Sequence, residues 1–134
     1  MATEQLSVRH RELLDLFEAH FETERVNDVE ACLKTLADDI VYEHPFRKHD
    51  DPLIVGREAV REYYIRHWGA QPFQKIEVKR SWVSGDDTLL VEVETTVGQP
   101  GETPRVCMTF AMGTFRNGLL TREITMSGPF EPAS

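Results

Sequence analysis

The chain has 134 residues, of which 40% are hydrophobic and 28% are charged, and its formal net charge is −8. This length predicts one domain, residues 1–134 with a core of about residues 6–129, that can fold without disulfides or metals. The acidic balance argues against nucleic acid as a partner, the short apolar runs exclude a membrane span, and two cysteines are too few for a disulfide scaffold. Because the first ten residues lack an apolar export signal, a cytoplasmic protein is expected.

The first part of the chain is predicted to be helical. Apolar residues recur at helical spacing from Leu6 to Phe21, which indicates a first helix. Asp28 can cap a second helix, which is predicted to continue through Leu36 and to end at Asp38–Asp39. Residues Ile40–His44 then form a segment with the pattern of a strand.

The rest of the chain is predicted to contain one more helix and then strands. A polar loop over Phe46–Val55 precedes a helix over Arg57–Trp68. Asn117-Gly118 between apolar runs is a strong hairpin signal. The predicted strands are Lys75–Val83, Thr88–Val97, Arg105–Phe115 and Leu119–Ser127. Three helices followed by strands predict an α+β domain.

Two stretches carry a family resemblance. Leu36–Phe46 contains an Asp-Asp pair, a strand pattern with a glutamate and a Pro-Phe pair, and Gly56–Tyr64 begins with Gly-Arg and ends with two aromatic residues. With Gly118–Pro129 they resemble the nuclear-transport-factor-2-like superfamily, which includes ketosteroid isomerases, SnoaL-like polyketide cyclases and phenazine-biosynthesis A/B-like proteins. The resemblance implies a cone-shaped α+β fold, with three N-terminal helices packed on a curved, mostly antiparallel sheet. Because this fold hosts many activities, it does not by itself define a function.

His44 is the first candidate catalytic residue. On a strand it shares a face with Tyr42. The resemblance implies that this face looks into the cone, and that His44 stands where ketosteroid isomerases carry their catalytic aspartate. An imidazole titrates near neutrality, so it suits proton abstraction beside a carbonyl. The alternative is a buried histidine hydrogen-bonded to a backbone carbonyl.

Three further residues are candidates for catalysis. The resemblance places His20 where the isomerases carry a tyrosine that donates to the substrate oxygen, and it places Tyr64 at the border of the pocket. Glu123, if it points into an apolar cone, could act as a general acid. The acid of phenazine-type relatives aligns with Thr125 instead. Each residue has a structural alternative, which is a packed helix face for His20, a core tyrosine for Tyr64 and a solvated or interface position for Glu123.

A soft apolar pocket is predicted around these groups. Met108, Phe110 and Met112 share one strand face and are assigned to the pocket wall, with a plain core position as the alternative. Met112 stands near the second catalytic acid of the steroid isomerases, so steroid isomerisation by their known machinery is not expected. The predicted ligand-binding residues are Tyr42, Phe46, Trp68, Met108, Phe110, Met112 and Thr125.

No metal or cofactor is expected. His44, His49 and His67 with Asp50 and Asp51 lack the regular spacing of a metal site. Glycine-rich phosphate loops and dinucleotide motifs are also absent from the sequence.

The sequence therefore predicts a homodimer that holds one small, largely apolar ligand. The leading function is a cofactor-independent acid/base enzyme of isomerase, cyclase or dehydratase type that acts on a carbonyl-bearing compound. The alternatives are a non-catalytic small-molecule binding or accessory protein and, less favoured, a protein-interaction module. The homodimer is expected because two strands carry apolar residues on both faces, so the face turned away from the cone needs a partner.

Overall fold

A computed structural model of the protein describes residues 6–45 and 52–133. Within these residues, three helices pack against one curved sheet of seven strands. The helices are α1 (Val8–Arg25), α2 (Val29–Leu33) and α3 (Arg57–Ala70), and the strands are β1 (Leu36–Glu43), β2 (Leu53–Val55), β3 (Phe73–Ser84), β4 (Thr88–Val97), β5 (Arg105–Arg116), β6 (Leu119–Ser127) and β7 (Glu131–Pro132). This architecture confirms the predicted α+β fold.

The sheet is mostly antiparallel, with the strand order β2-β1-β6-β5-β4-β3 and with β7 paired to the start of β5. The β1–β6 pair is parallel, and it places Tyr42 directly opposite Glu123. The predicted hairpin at Asn117-Gly118 joins β5 to β6, and both residues have the positive φ that a tight hairpin turn requires.

The helix starts follow local capping chemistry. The backbone N–H of His10 donates to the hydroxyl of Ser7 at the start of α1. The backbone N–H of Ala31 donates to the carboxylate of Asp28, which confirms the predicted cap of α2. No helix in the part of the chain that the structure describes is long and apolar enough to cross a bilayer.

Two predictions about secondary structure are wrong, and one strand was not predicted. The second helix ends at Leu33, and Leu36 and Asp38–Asp39 belong to β1, where Leu36 pairs with Leu120 of β6. Leu53–Val55, predicted as loop, pairs with β1 as β2. The short strand β7 was not predicted. In each case pairing with a strand distant in sequence outweighs the local pattern.

The core lies between α1 and the concave face of the sheet. Phe17 is fully buried, stacks on Phe21 and meets Phe115 edge to face. Its ring lies against Gly113 of β5, where a Cβ atom would come within 2.9 Å of it. This close approach packs α1 against the sheet and turns the next residues of α1, His20 and Glu24, towards the interior.

Candidate active site

A cavity of about 570 Å³ lies between the helices and the inner face of the sheet. Its volume is in the range of small-molecule binding sites. One end is closed by buried side chains, among them Glu24, Tyr64 and Glu123. The other end opens to solvent between residues 70–71, at the end of α3, and residues 128–130, after β6.

The closed end contains a buried cluster of one imidazole and two carboxyl groups. His20 Nε2 lies 3.0 Å from Oε1 of Glu24 and 3.5 Å from Oε1 of Glu123. His20 is fully buried behind the cavity wall, while both glutamates line the cavity. The cluster therefore presents its carboxyl groups to a ligand and keeps its imidazole behind them.

The hydrogen bonds around His20 show that its Nδ1 carries hydrogen. The hydroxyl of Thr35 donates its hydrogen to the carbonyl oxygen of Cys32. Thr35 Oγ1 must therefore accept the 2.7 Å hydrogen bond from His20 Nδ1. The opposite nitrogen, Nε2, faces the two carboxyl groups at ion-pair distance.

The charges in this cluster depend on one another. Burial alone would lower the pKa of His20, but the Cys32 sulfur and the Glu24 and Glu123 carboxylates outweigh burial and hold that pKa well above its usual value of 6.5. Burial raises the pKa of Glu24, with a further rise from the Glu123 charge, and the His20 imidazolium opposes both effects. The carboxylates beside His20 thus favour its protonated form.

Two tyrosines supply hydrogen-bond donors to the same cavity. Burial, reinforced by the Glu123 charge, holds the pKa of Tyr42 well above its usual value. Burial likewise raises the pKa of Tyr64, whose ring centroid lies 5.9 Å from that of Tyr42. Both phenols therefore remain protonated and able to donate to an oxygen of a bound ligand.

An aromatic wall extends from Tyr42 towards the cavity opening. The His44 ring meets Tyr42 edge to face at 4.4 Å and lies 5.2 Å from the Tyr63 ring. The Tyr63 ring lies in turn 4.1 Å from that of His67. His44 is 3% exposed and lines the cavity. The imidazoles of His44 and His67 and the phenols of Tyr42 and Tyr63 thus share one wall, on the Tyr42 side of the carboxyl cluster.

Family comparison agrees with this architecture. The model of the SnoaL-like domain family matches residues 17–123, which is more than half of the chain. The chain belongs to the SnoaL-like domain family. No curated protein sequence shows a significant match to this SnoaL-like chain.

Solved structures share the fold of this SnoaL-like protein at low sequence identity. A candidate isomerase from Bacillus subtilis aligns with a TM-score of 0.80 and 15% identity, over 92% of this chain and 91% of that one. An LEH-like epoxide hydrolase from M. tuberculosis aligns with a TM-score of 0.74 and 18% identity, over 89% and 84%. A ketosteroid isomerase-like protein from Erwinia carotovora atroseptica SCRI1043 aligns with a TM-score of 0.70 and 20% identity, over 92% and 100%. These likenesses show the nuclear-transport-factor-2-like fold, as predicted.

Most of the predicted site residues come together in the SnoaL-like cavity. Its lining includes His44, Tyr64 and Glu123 of the proposed catalytic set and Tyr42, Trp68 and Thr125 of the proposed ligand-binding set. His20 contacts the cavity through Glu24 and Glu123 rather than directly. Phe46, also predicted to bind ligand, lies outside the described residues, as do His49, Asp50 and Asp51.

The placement of Met108, Phe110 and Met112 in the cavity wall is wrong. These residues lie on the outer face of β5, where Met108 and Phe110 are exposed. The alternate residues, Cys107, Thr109 and Ala111, line the cavity instead. The smaller side chains face inward because α1 and the cavity occupy the space above this part of β5, and Phe17 already fills the position over Gly113.

Glu24 is an ionisable site residue that the sequence analysis missed. It lies one turn after His20 on α1, and this spacing of four residues puts both side chains on one helix face. That spacing was the available signal.

Within residues 6–45 and 52–133, no group of three or more His, Cys, Asp and Glu side chains has the arrangement of a metal site.

Proposed function

We propose that this SnoaL-like protein is a cofactor-independent acid/base enzyme that acts on a small, largely apolar, carbonyl-bearing compound. The observation that carries the proposal is the His20–Glu24–Glu123 cluster at the closed end of the cavity. Buried ionisable groups are costly to keep, so a cluster beside an apolar cavity is typical of a site that moves protons.

The ionisable side chains at and beside the cavity have different roles in this chemistry. His44 removes the proton beside the substrate carbonyl, and Tyr42 and Tyr64 donate to the oxygen where negative charge develops. The Glu24 and Glu123 carboxyl pair returns a proton to the substrate or to the leaving oxygen. His20 acts as a positioning residue, because it touches the carboxyl groups and does not line the cavity. The fold allows isomerase, cyclase or dehydratase chemistry with these groups.

Deuterium exchange tests this proposal without knowledge of the natural substrate. The α-protons of a series of aryl ketones in D2O are followed by proton NMR with wild-type protein and with His44→Ala, Glu24→Gln and Glu123→Gln. We expect wild-type protein to accelerate exchange of at least one ketone and each variant to slow it. Glu94→Gln is the matched control, since Glu94 lies on the outer face of the sheet. Exchange that is equal in all variants contradicts the proposal.

A non-catalytic binding protein is the second candidate function. The apolar part of the cavity, which includes Phe21, Phe73, Ile76 and Val93, would hold a ligand without any proton transfer. This candidate predicts that ketones of the series bind with measurable affinity while none of them exchanges faster than in buffer.

A homodimer formed through the outer face of the sheet is part of the proposal. Trp82, Met108 and Phe110 are exposed on this face, with the Trp82 and Phe110 ring centroids 6.5 Å apart. The Arg80 guanidinium lies over the Trp82 ring and pairs with Glu92 at 2.7 Å. A face that contains an apolar centre and charges of both signs is complementary to a second copy of itself.

A further inference from the structure

The opening of the cavity carries one arginine, Arg105. It is the single Lys or Arg side chain among the described residues that line the cavity. Its guanidinium lies 5.7 Å from the ring centre of Phe130, which also lines the opening. Pairing of its backbone with Pro132 of β7 holds the start of β5 in place. The structure therefore keeps a positive charge at a defined position on the cavity rim.

Within the part of the chain that the structure describes, Arg105 has no carboxylate partner. Among residues 6–45 and 52–133, no Asp or Glu side chain forms an ion pair with Arg105, whereas Arg80 pairs with Glu92 and Arg122 with Glu43. The chain as a whole has a net charge of −8, so an arginine that pairs with no Asp or Glu of the described residues stands out at a ligand site. A guanidinium is the side chain best suited to bind a carboxylate through two hydrogen bonds.

The two ends of the cavity have opposite preferences for charge. Glu24 and Glu123 at the closed end repel an anion, while Arg105 attracts one at the opening. Glu123 pairs with Gly113, which lies eight residues beyond Arg105 on β5. At about 3.3 Å per residue, the backbone of Arg105 lies roughly 26 Å along the strand from that of Gly113. The long side chains of Arg105 and Glu123 can make the distance between their charged groups shorter than this. A ligand that contacts both ends must be elongated and must keep any acid group at the opening.

We propose that the ligand is an elongated, apolar carboxylic acid whose carboxylate binds Arg105 and whose opposite end reaches the Glu24 and Glu123 carboxyl groups. Gln71, also at the opening, offers an amide donor to the same carboxylate. In combination with the proposed function, on which this orientation partly rests, the substrate class is an oxo acid with its reactive carbonyl remote from its carboxylate.

A matched pair of fluorescent probes tests the charge preference. The dissociation constants of 4-(1-pyrenyl)butyric acid and its methyl ester are measured by fluorescence titration, with shorter aryl alkanoic acids as competitors. We expect wild-type protein to bind the acid about 10- to 100-fold more tightly than the ester, the range for a hydrogen-bonded charge. Arg105→Gln should lose this preference, and Arg105→Lys should retain part of it.

The controls separate a specific contact from a general loss of structure. Ester binding should be unchanged in Arg105→Gln, which shows that the cavity remains folded. Arg116→Gln, at the opposite end of β5, should bind both probes as wild type does. Equal binding of acid and ester, an acid preference that survives in Arg105→Gln, or failure of every acid to bind at millimolar concentration overturns the proposal.

The same measurements distinguish this inference from the proposed function. If acid binding depends on Arg105 but no ketone exchanges deuterium, the proposed ligand class stands and the proposed enzymatic function is wrong. If exchange depends on His44 and the carboxyl pair but acid and ester bind equally, the enzymatic function stands and the specificity for an acid is wrong.

Discussion

His20 Nε2 lies 3.0 Å from Oε1 of Glu24, one helical turn further along α1, and both residues are buried. A buried ion pair of this kind is costly to form and more costly to break, because removal of one partner leaves the other unpaired. The pair is placed beside the cavity, so its chemistry is available to a ligand. This relationship connects the stability of the protein to its proposed activity.

The protein is expected to lose stability as pH rises above 6.5. The folded-state pKa of His20 is raised above its usual value of 6.5, so the folded state holds a proton that the unfolded state releases. The stabilisation is fully present below pH 6.5 and is lost as pH rises through the folded-state pKa. Tm should fall as the pH is raised from about 6 to about 9. The raised pKa of Glu24 also makes stability decrease with rising pH, starting near the usual glutamate pKa of 4.5.

His20→Gln should flatten this pH dependence and lower the stability by about 1–3 kcal/mol near pH 6, because a buried charged hydrogen bond is lost. His10→Gln is the matched control, since His10 contacts Ser81 and lies outside the cluster. If Tm of His20→Gln fell with pH as steeply as that of wild type, His20 would not be the source of the pH dependence.

His44→Ala is expected to reduce turnover while folding and ligand affinity remain close to wild type. Positioned general-base catalysis typically contributes about 10²–10⁴-fold, so kcat should fall by roughly this factor. His44→Asp should retain part of the activity, because a carboxylate can also accept the proton. The measurement is the exchange rate of the most reactive ketone at saturating concentration. Full activity in His44→Ala would favour the binding-protein interpretation.

Gly113→Ala is expected to destabilise the protein by about 1–3 kcal/mol through overpacking. A Cβ at this position would lie 2.9 Å from Phe17 and 3.0 Å from Leu120, both of which are buried. Gly69→Ala is the control, since Gly69 has open space around it in α3, and this change should raise stability by up to about 1 kcal/mol. Urea unfolding measures both variants. Equal stability of Gly113→Ala and wild type would contradict the close packing of α1 on β5.

Phe110→Glu is expected to convert a dimer into a monomer, because it puts a charge at the centre of the exposed apolar face. Light scattering at tens of micromolar measures the mass of the wild type and the variant. Ile65→Glu is the control, since Ile65 is an exposed apolar residue of α3 and lies away from the sheet. If the wild type is a monomer, the predicted interface does not exist. If Phe110→Glu remains a dimer, the interface lies on another surface.

Local chemistry made several elements predictable from the sequence. The Asp28 cap, the Asn117-Gly118 hairpin and the bounds of β4 and β6 depend on neighbouring residues, and the structure confirms them. The placement of His44 and Tyr42 on one face follows from strand geometry, and the family resemblance correctly implied that this face looks inward.

The tertiary structure alone decided which face of β5 is inside. Alternation along a strand defines two faces but does not say which of them meets the helices. Hydrophobicity favoured the face of Met108 and Phe110, yet the ring of Phe17 lies over Gly113 and the cavity lies over Cys107, Thr109 and Ala111. Glu24 and Glu123, from opposite ends of the chain, meet at His20 only because α1 packs across the curved sheet. The space left by this packing selected the small side chains for the inner face and turned the large ones outward.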